Sequence, residues 1–313
     1  MSALLFPGQG SQIVGMGSEF YNNFALVKKI FKQADEKLNY PISKMILKGP
    51  EDKLQLTQNT QPAILTVSYS IFRVLIDEFN FDLNDVKHFA GHSLGEYSAL
   101  VSSEALNFND ALYLLYERGK AMQESVPVGK GSMIAVLGKK PNELKELIQA
   151  DDNIKGICEL ANDNADGQVI ISGDKDSVQC FQLTLKEKRI KFIPLKVSAP
   201  FHCSLMNSAA KIMKDKINKI VFQKPIFDIV SNVTAKPENN FNNIKELLIK
   251  QIYSTVRWRE SIIYLSEIGV KNYIEIGPGK VLTGMVKRTI KNVNCFSINT
   301  IADIENLKNE LKK

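Results

Sequence analysis

The sequence predicts an α/β protein in which a small domain interrupts a larger one. Three observations lead there. Short apolar runs alternate with longer amphipathic stretches along most of the 313 residues, the rhythm of strands and helices packed in layers. Between Val126 and Leu195 the order of elements changes to strand, helix, strand, strand, helix, strand. Hydrophobic residues make up 44% of the chain and charged residues 24%, a balance that buries a core and excludes disordered and fibrous classes.

The first strand, residues 3–6, runs into the glycine-bearing turn Pro7-Gly8-Gln9-Gly10. A buried helix is expected from Thr60, with its hydroxyl as a cap, Pro62 in the first turn and Ile64, Val67, Ile71 and Leu75 as the apolar positions. A second strand at 86–90 leads through Gly91-His92-Ser93-Leu94-Gly95 into a helical stretch at 96–101, and another helix runs from about Asp110 through Arg118 to Gln123. The inserted unit has strands at 133–137, 156–161, 168–172 and 191–195, with helices at 142–150 and 175–188. Its β-α-β-β-α-β order is that of ferredoxin-like folds. The chain enters it near Pro127-Val128-Gly129 and leaves near Pro194, giving a discontinuous large domain (1–125 and 196–313) and a small one (126–195). Strands at 226–230, 273–276 and 295–298 complete the large domain, and the Asn- and Lys-rich segment 237–243 is expected to be a surface loop.

Forty basic and 34 acidic residues leave a formal charge of +6, which suits anionic partners without naming one. No zinc-finger spacing, RNA-binding signature or basic helix supports nucleic acid as that partner. Cys158, Cys180, Cys203 and Cys295 form no CxxC pair, so no metal site is expected and a reducing, cytoplasmic compartment is. The residues after Met1 lack the charged start of a signal peptide. No apolar stretch is long enough to cross a bilayer.

The strongest chemical signal is Gly91-His92-Ser93-Leu94-Gly95 between a strand and a helix. Such an elbow holds its central residue exposed and strained, and flanking glycines remove the crowding. A serine there can attack a carbonyl, with helix-start N–H groups ready to receive an oxyanion. A tight turn with Ser93 as a mere cap is the plain alternative. The base must come from His88, His92 or His202, the three histidines present. His88 lies on the strand and His92 is expected to point away from its neighbour. His202, in the segment from Ser198 to Cys203, stands where the chain returns from the small domain. The Gly8-Gln9-Gly10 turn could offer a second backbone donor, and it has neither dinucleotide nor P-loop spacing.

Taken in order, Phe6-Pro7-Gly8-Gln9-Gly10-Ser11-Gln12, Thr60-Gln61-Pro62-Ala63, Gly91-His92-Ser93-Leu94-Gly95-Glu96, Arg118-Gly119-Lys120-Ala121-Met122-Gln123, Phe201-His202, Val230-Ser231-Asn232-Val233-Thr234-Ala235 and Glu275-Ile276-Gly277-Pro278-Gly279-Lys280-Val281-Leu282 resemble the malonyl-CoA:acyl carrier protein transacylase family. The acyltransferase domains of fatty-acid and polyketide synthases share the pattern. The resemblance covers nearly the whole chain and implies a hydrolase-like large domain. It implies Ser93 as nucleophile, His202 as base, Gln251 as the residue that orients the base through its main-chain carbonyl, and the backbone N–H groups of Gln9 and Leu94 as the oxyanion hole. It aligns Arg118 with the group that grips the malonyl carboxylate, which a planar guanidinium can do through two parallel hydrogen bonds. Asn162 and Gln168 are expected to line the cleft between domains. Phe201 is expected there too, matching malonyl-selective polyketide domains, although other relatives carry serine at that position. The implied partners are malonyl-CoA and an acidic, phosphopantetheinylated acyl carrier protein, with no cofactor. A chain without fused domains suits a free-standing carrier and a monomer. Two rival readings are a serine esterase or phospholipase and a non-catalytic carrier-binding scaffold; Arg118 argues against the first, and the joint presence of Ser93, His202 and Arg118 against the second.

Overall fold

The structure, a computed structural model, describes residues 1–195, 197 and 199–311. Its strands are β1 (Ser2–Phe6), β2 (Val86–Gly91), β3 (Gly131–Leu137), β4 (Cys158–Ala165), β5 (Gln168–Asp174), β6 (Phe192–Pro194), β7 (Asp228–Val230), β8 (Pro237–Glu238), β9 (Asn272–Ile276) and β10 (Asn294–Ile298). The larger sheet has six strands in the order β10-β9-β1-β2-β7-β8. Its first five are parallel, and β8 closes one edge antiparallel. β1, at the centre, is buried at every residue, as expected of a parallel strand covered on both faces. Its side chains divide between the faces. Leu4 and Phe6 join the core of Phe72, Phe89 and Leu115, while Ala3 and Leu5 join that of Trp258, Ile262 and Leu282.

The smaller sheet runs β4-β5-β3-β6 with all neighbours antiparallel. The helices Pro141–Gln149 and Lys175–Glu187 bury Leu144, Val178, Phe181 and Leu185 against Ile134, Val136, Val169 and Ile171. Its edge strand β4 is tied to the larger body. The Asp163 N–H donates to Val256 O at 2.9 Å, the Val256 N–H to Ala161 O at 2.9 Å, and Arg259 Nε to both Asp163 carboxylate oxygens at 2.9 and 3.0 Å.

Several elements differ from expectation. The long helix is Thr57–Asp77 with Leu56 at its cap position. Thr60 does not cap it; the hydroxyl donates instead to Leu54 O at 2.6 Å, and Pro62 lies beyond the first turn. β4 spans 158–165 rather than 156–161, because its Asn and Asp residues face the other body and hide the apolar signal. β7 starts only at Asp228, since the Ile226 N–H is committed to Ser103 O at 2.9 Å. The segment 237–243 contains β8 and the start of the helix Phe241–Gln251, capped by the Asn240 side chain. Four helices before Thr57, at Ser18–Asn23, Ala25–Leu38, Ile42–Lys48 and Glu51–Leu54, had no expected counterpart. Lys196, the expected start of the second half of the large domain, and Ser198 lie outside the described residues.

Candidate active site

Because β1, β2, β7 and β9 are parallel, the loops at their carboxyl ends gather along one edge of the sheet, where open α/β sheets bind ligands. Ser93 stands just past β2 with φ at 53°, a left-handed conformation that a non-glycine residue adopts only under constraint. The constraint is visible at both glycines. A Cβ on Gly91 would lie 1.9 Å from the Gly95 carbonyl carbon, and one on Gly95 would lie 2.2 Å from Phe6 O. Only bare backbone lets the elbow pass this close to itself and to β1. The turn is also held from outside: the Ser93 N–H donates to Asn232 Oδ1 at 2.7 Å, and Asn232 Nδ2 donates to Gly91 O at 2.7 Å.

His202, 5% exposed and also left-handed at φ 57°, brings Nε2 to 2.8 Å from Ser93 Oγ. Its Nδ1 lies 2.8 Å from the Gln251 carbonyl oxygen. A carbonyl only accepts, so Nδ1 carries the hydrogen and Nε2 presents a lone pair to the serine hydroxyl. Burial, with the Arg118 charge second and His92 adding to it, pushes the His202 pKa down to about 3. The imidazole is therefore neutral at physiological pH.

Arg118, on the helix Phe108–Glu124, is 1% exposed. Nη1 donates to Gln61 Oε1 at 2.7 Å, and Nη2 to Gln251 Oε1 at 2.9 Å and Ser93 Oγ at 3.1 Å. Its Nε is buried without a partner among the described residues. The Tyr97 ring centroid lies 5.9 Å from the guanidinium carbon. None of the ion pairs among the described residues includes Arg118. Gly119 lets this helix close on the helix Thr57–Asp77, since a Cβ there would sit 2.5 Å from Gln58 Cα.

A cavity of about 340 Å³ opens onto these groups, and Gln9, Asn162, Gln168 and Phe201 line it. Asn162 and Phe201 are buried. Gln168 reaches the larger body by accepting from Arg288 Nη1 at 3.1 Å. Leu94 stands at the cap of the helix Gly95–Ser102, beside the elbow. His92 turns away from Ser93, with Nε2 2.8 Å from Asn164 Oδ1 and its ring edge-on to Trp258. His88 packs against Tyr264.

Gln61, Glu96 and Asn232 lie inside the motifs with no role expected of them from the sequence. All three are buried, and the hydrogen bonds above run through Gln61 and Asn232. Their signal is polarity where the pattern demands burial: Gln61 precedes an apolar helical face and Glu96 opens an apolar helix, and such groups persist inside a protein when they are hydrogen-bonded. Glu275 is similar. Its buried carboxylate accepts from the Leu282 and Thr283 N–H groups at 3.1 and 2.8 Å and so anchors the helix Val281–Thr289 at the cavity wall.

The malonyl CoA-acyl carrier protein transacylase of Bacillus subtilis (strain 168) is 41% identical to this chain over 304 residues, 97% of the chain and 95% of that protein. The Escherichia coli (strain K12) protein of the same name is 38% identical and covers 95% of each. The crystal structure of acyl-carrier-protein-S-malonyltransferase from Bartonella henselae superposes with a TM-score of 0.95 at 38% identity, covering 100% of this chain and 99% of that one. A type II PKS acyl-carrier protein in complex with its malonyl-transacylase provides another match, with a TM-score of 0.94, 37% identity and coverage of 98% and 99%. Residues 3–311 match the acyl transferase domain family, and by that match together with these relatives the chain belongs to it.

Proposed function

We propose that this chain moves a malonyl group from malonyl-CoA to the phosphopantetheine thiol of acyl carrier protein through an ester on Ser93. The observation that carries the reading is Arg118: a guanidinium buried without a carboxylate partner, 3.1 Å from the serine oxygen. Its direct contacts are all neutral oxygens, which compensate a buried cation only in part, and the free carboxylate of a malonyl thioester supplies a direct ionic partner beside the nucleophile. The names of relatives at 38–41% identity support the same substrate, and the carrier-bound neighbour supports the same partner.

In the first half-reaction Ser93 Oγ attacks the thioester carbonyl while His202 Nε2 takes its proton. The backbone N–H groups of Gln9 and Leu94 receive the oxyanion; among the described residues neither donates to a protein acceptor. The C–S bond breaks, and the proton passes from His202 to the coenzyme A sulfur. The second half-reaction runs in reverse with the carrier thiol. Gln251 holds the tautomer through its carbonyl. Burial is the first cause of the depressed His202 pKa and the Arg118 charge the second; the malonyl carboxylate, by offsetting that charge, eases the second.

The same proposal reads the larger body as hydrolase-like, formed by 1–125 and 196–313, and the antiparallel body of 126–195 as a ferredoxin-like insertion, in keeping with the β4-β5-β3-β6 order. Asn162, Gln168 and Phe201 bound the acyl cleft from that side. The reading includes a monomer, and a cytoplasmic location fits the four free cysteines; no described helix is long and apolar enough to cross a membrane. Intact mass after mixing with malonyl-CoA tests the core of the reading. The wild type gains one malonyl group and Ser93→Ala gains none; a single-site adduct on the variant would refute the assignment.

A further inference from the structure

Glu96 is a buried carboxylate to which the steps above give no part. It lies in the first turn of the helix Gly95–Ser102 and is 3% exposed. Its Oε2 accepts from Gln251 Nε2 at 2.8 Å and from the Asn232 N–H at 3.2 Å. Gln251 Nε2 also donates to Ser93 O at 2.9 Å, which leaves Oε1 to face Arg118 at 2.9 Å. Turning that amide over would set an NH₂ group against the guanidinium. Glu96 and Arg118 are thus opposite charges at the two ends of one side-chain amide.

The surroundings hold little else that is charged. Arg118 approaches from the helix Phe108–Glu124, and Tyr97 follows Glu96 on its own helix, its hydroxyl held protonated by burial. Gln251 and Asn232, from the remaining elements in contact, are neutral. His202 and His92 are both pushed toward the neutral form by burial.

Resting on the proposed malonyl transfer, we infer that Glu96 is a specificity-determining residue: the malonyl carboxylate and Glu96 share the single positive charge of Arg118, so malonyl enters together with a proton that Glu96 takes from solution. Two carboxylates around one buried guanidinium leave a net negative charge in a low-dielectric site, and a proton on one of them removes it. Glu96 is already poised for this, since burial pushes its pKa up to about 7 against the pull of Asn232, Gln251 and Arg118. Both of its hydrogen bonds end on Oε2, so Oε1 can take the proton without disturbing them. An acetyl donor brings no charge and needs no proton.

The test is the rate of Ser93 ester formation from malonyl-CoA and from acetyl-CoA between pH 6 and 9, by rapid quench and intact mass, in the wild type and Glu96→Gln. The malonyl-to-acetyl ratio in the wild type is expected to fall about tenfold as pH rises, the equivalent of one pKa unit of coupling. In Glu96→Gln, whose amide oxygen can replace Oε2 and which carries no charge, the ratio stays level. A level ratio in the wild type, or a variant that follows the wild-type slope, overturns the inference. Should the variant fold poorly, an indicator dye reads proton uptake by the wild type directly: uptake on mixing with malonyl-CoA but not acetyl-CoA supports the inference, and equal uptake defeats it. If malonyl-CoA leaves no ester on the wild type at any pH, the proposed function itself falls and takes this inference with it; an ester that forms with a level ratio removes the inference alone.

Discussion

Replacing Arg118 with alanine separates two roles for the guanidinium, and their magnitudes differ. Loss of a buried, charge-assisted contact to the acyl carboxylate costs on the order of 2 to 5 kcal/mol. At 1.36 kcal/mol per factor of ten, kcat/KM for malonyl-CoA falls by roughly 30-fold to 5000-fold. Acetyl-CoA makes no such contact. Its kcat/KM is expected to hold or rise, because the cation that adds to burial in depressing His202, and that touches no carboxylate directly beneath an acetyl group, is gone. Stability moves separately: Gln61 Oε1 and Gln251 Oε1 each lose a donor, at about 1 to 3 kcal/mol apiece, offset by removal of a buried charge. Arg118→Lys keeps the charge, but one ammonium cannot reproduce a fork that reaches Gln61, Gln251 and Ser93 together, so malonyl transfer stays low. The assay is kcat/KM for both donors in the three proteins, with thermal unfolding as the control for folding. An equal loss for malonyl-CoA and acetyl-CoA in a folded Arg118→Ala protein would refute the carboxylate-binding role and, with it, malonyl as the substrate inferred from the site.

Two further outcomes are expected. His202 has a folded-state pKa lowered to about 3 by burial first and the Arg118 charge second, against an ordinary value near 6.5, so its neutral form contributes stability that is complete above about pH 6.5 and is lost as pH falls toward 3. Urea unfolding at pH 7 and pH 4 is expected to show a smaller acid loss in His202→Gln than in the wild type, and parallel losses would contradict this. Gly95→Ala places a Cβ 2.2 Å from Phe6 O and 2.8 Å from Pro7 O, both backbone atoms with nowhere to swing; a cost of about 3 kcal/mol and loss of ester formation follow, and an unshifted melting temperature would show that the elbow has room to spare.

Legibility followed the kind of signal each element leaves in the chain. β1 was readable because it is a continuous apolar run bounded by turns, and β2 and β9 because they are short, mostly apolar stretches, broken only by Lys87-His88 and by Glu275. The end of β4 was not, because Asn162, Asp163 and Asn164 look like a loop; Asn162 and Asp163 pair with β5 in the strand ladder, and the polar groups of Asp163 and Asn164 are met by Val256, Arg259 and His92 from distant parts of the chain. Thr60 misled for a related reason: a hydroxyl before an apolar face suggests a cap, but the packed short helices upstream supply Leu54 O as its partner. Ser93 could be singled out by its setting in a local pattern, whereas Arg118 stood out through its place in the family resemblance. Asn232 left no such signal and Glu96 only its polarity at the head of an apolar helix; their partners lie 139 and 155 positions away in sequence, and no local spacing announces such bonds.

The bond that aims His202 ends on a main-chain oxygen, and that has a consequence for how such a site is read by substitution. Every amino acid placed at position 251 still carries a carbonyl, so a residue-by-residue scan never deletes the group that sets the tautomer. Variants at Gln251 would instead report on the side-chain amide between Glu96 and Arg118, and a defect seen there would be credited to the wrong interaction. The orienting contact is encoded in the path of the chain after the helix Phe241–Gln251 rather than in the identity of a letter. It therefore leaves no signature residue for a sequence comparison to find, and only a change that moves the backbone can expose it.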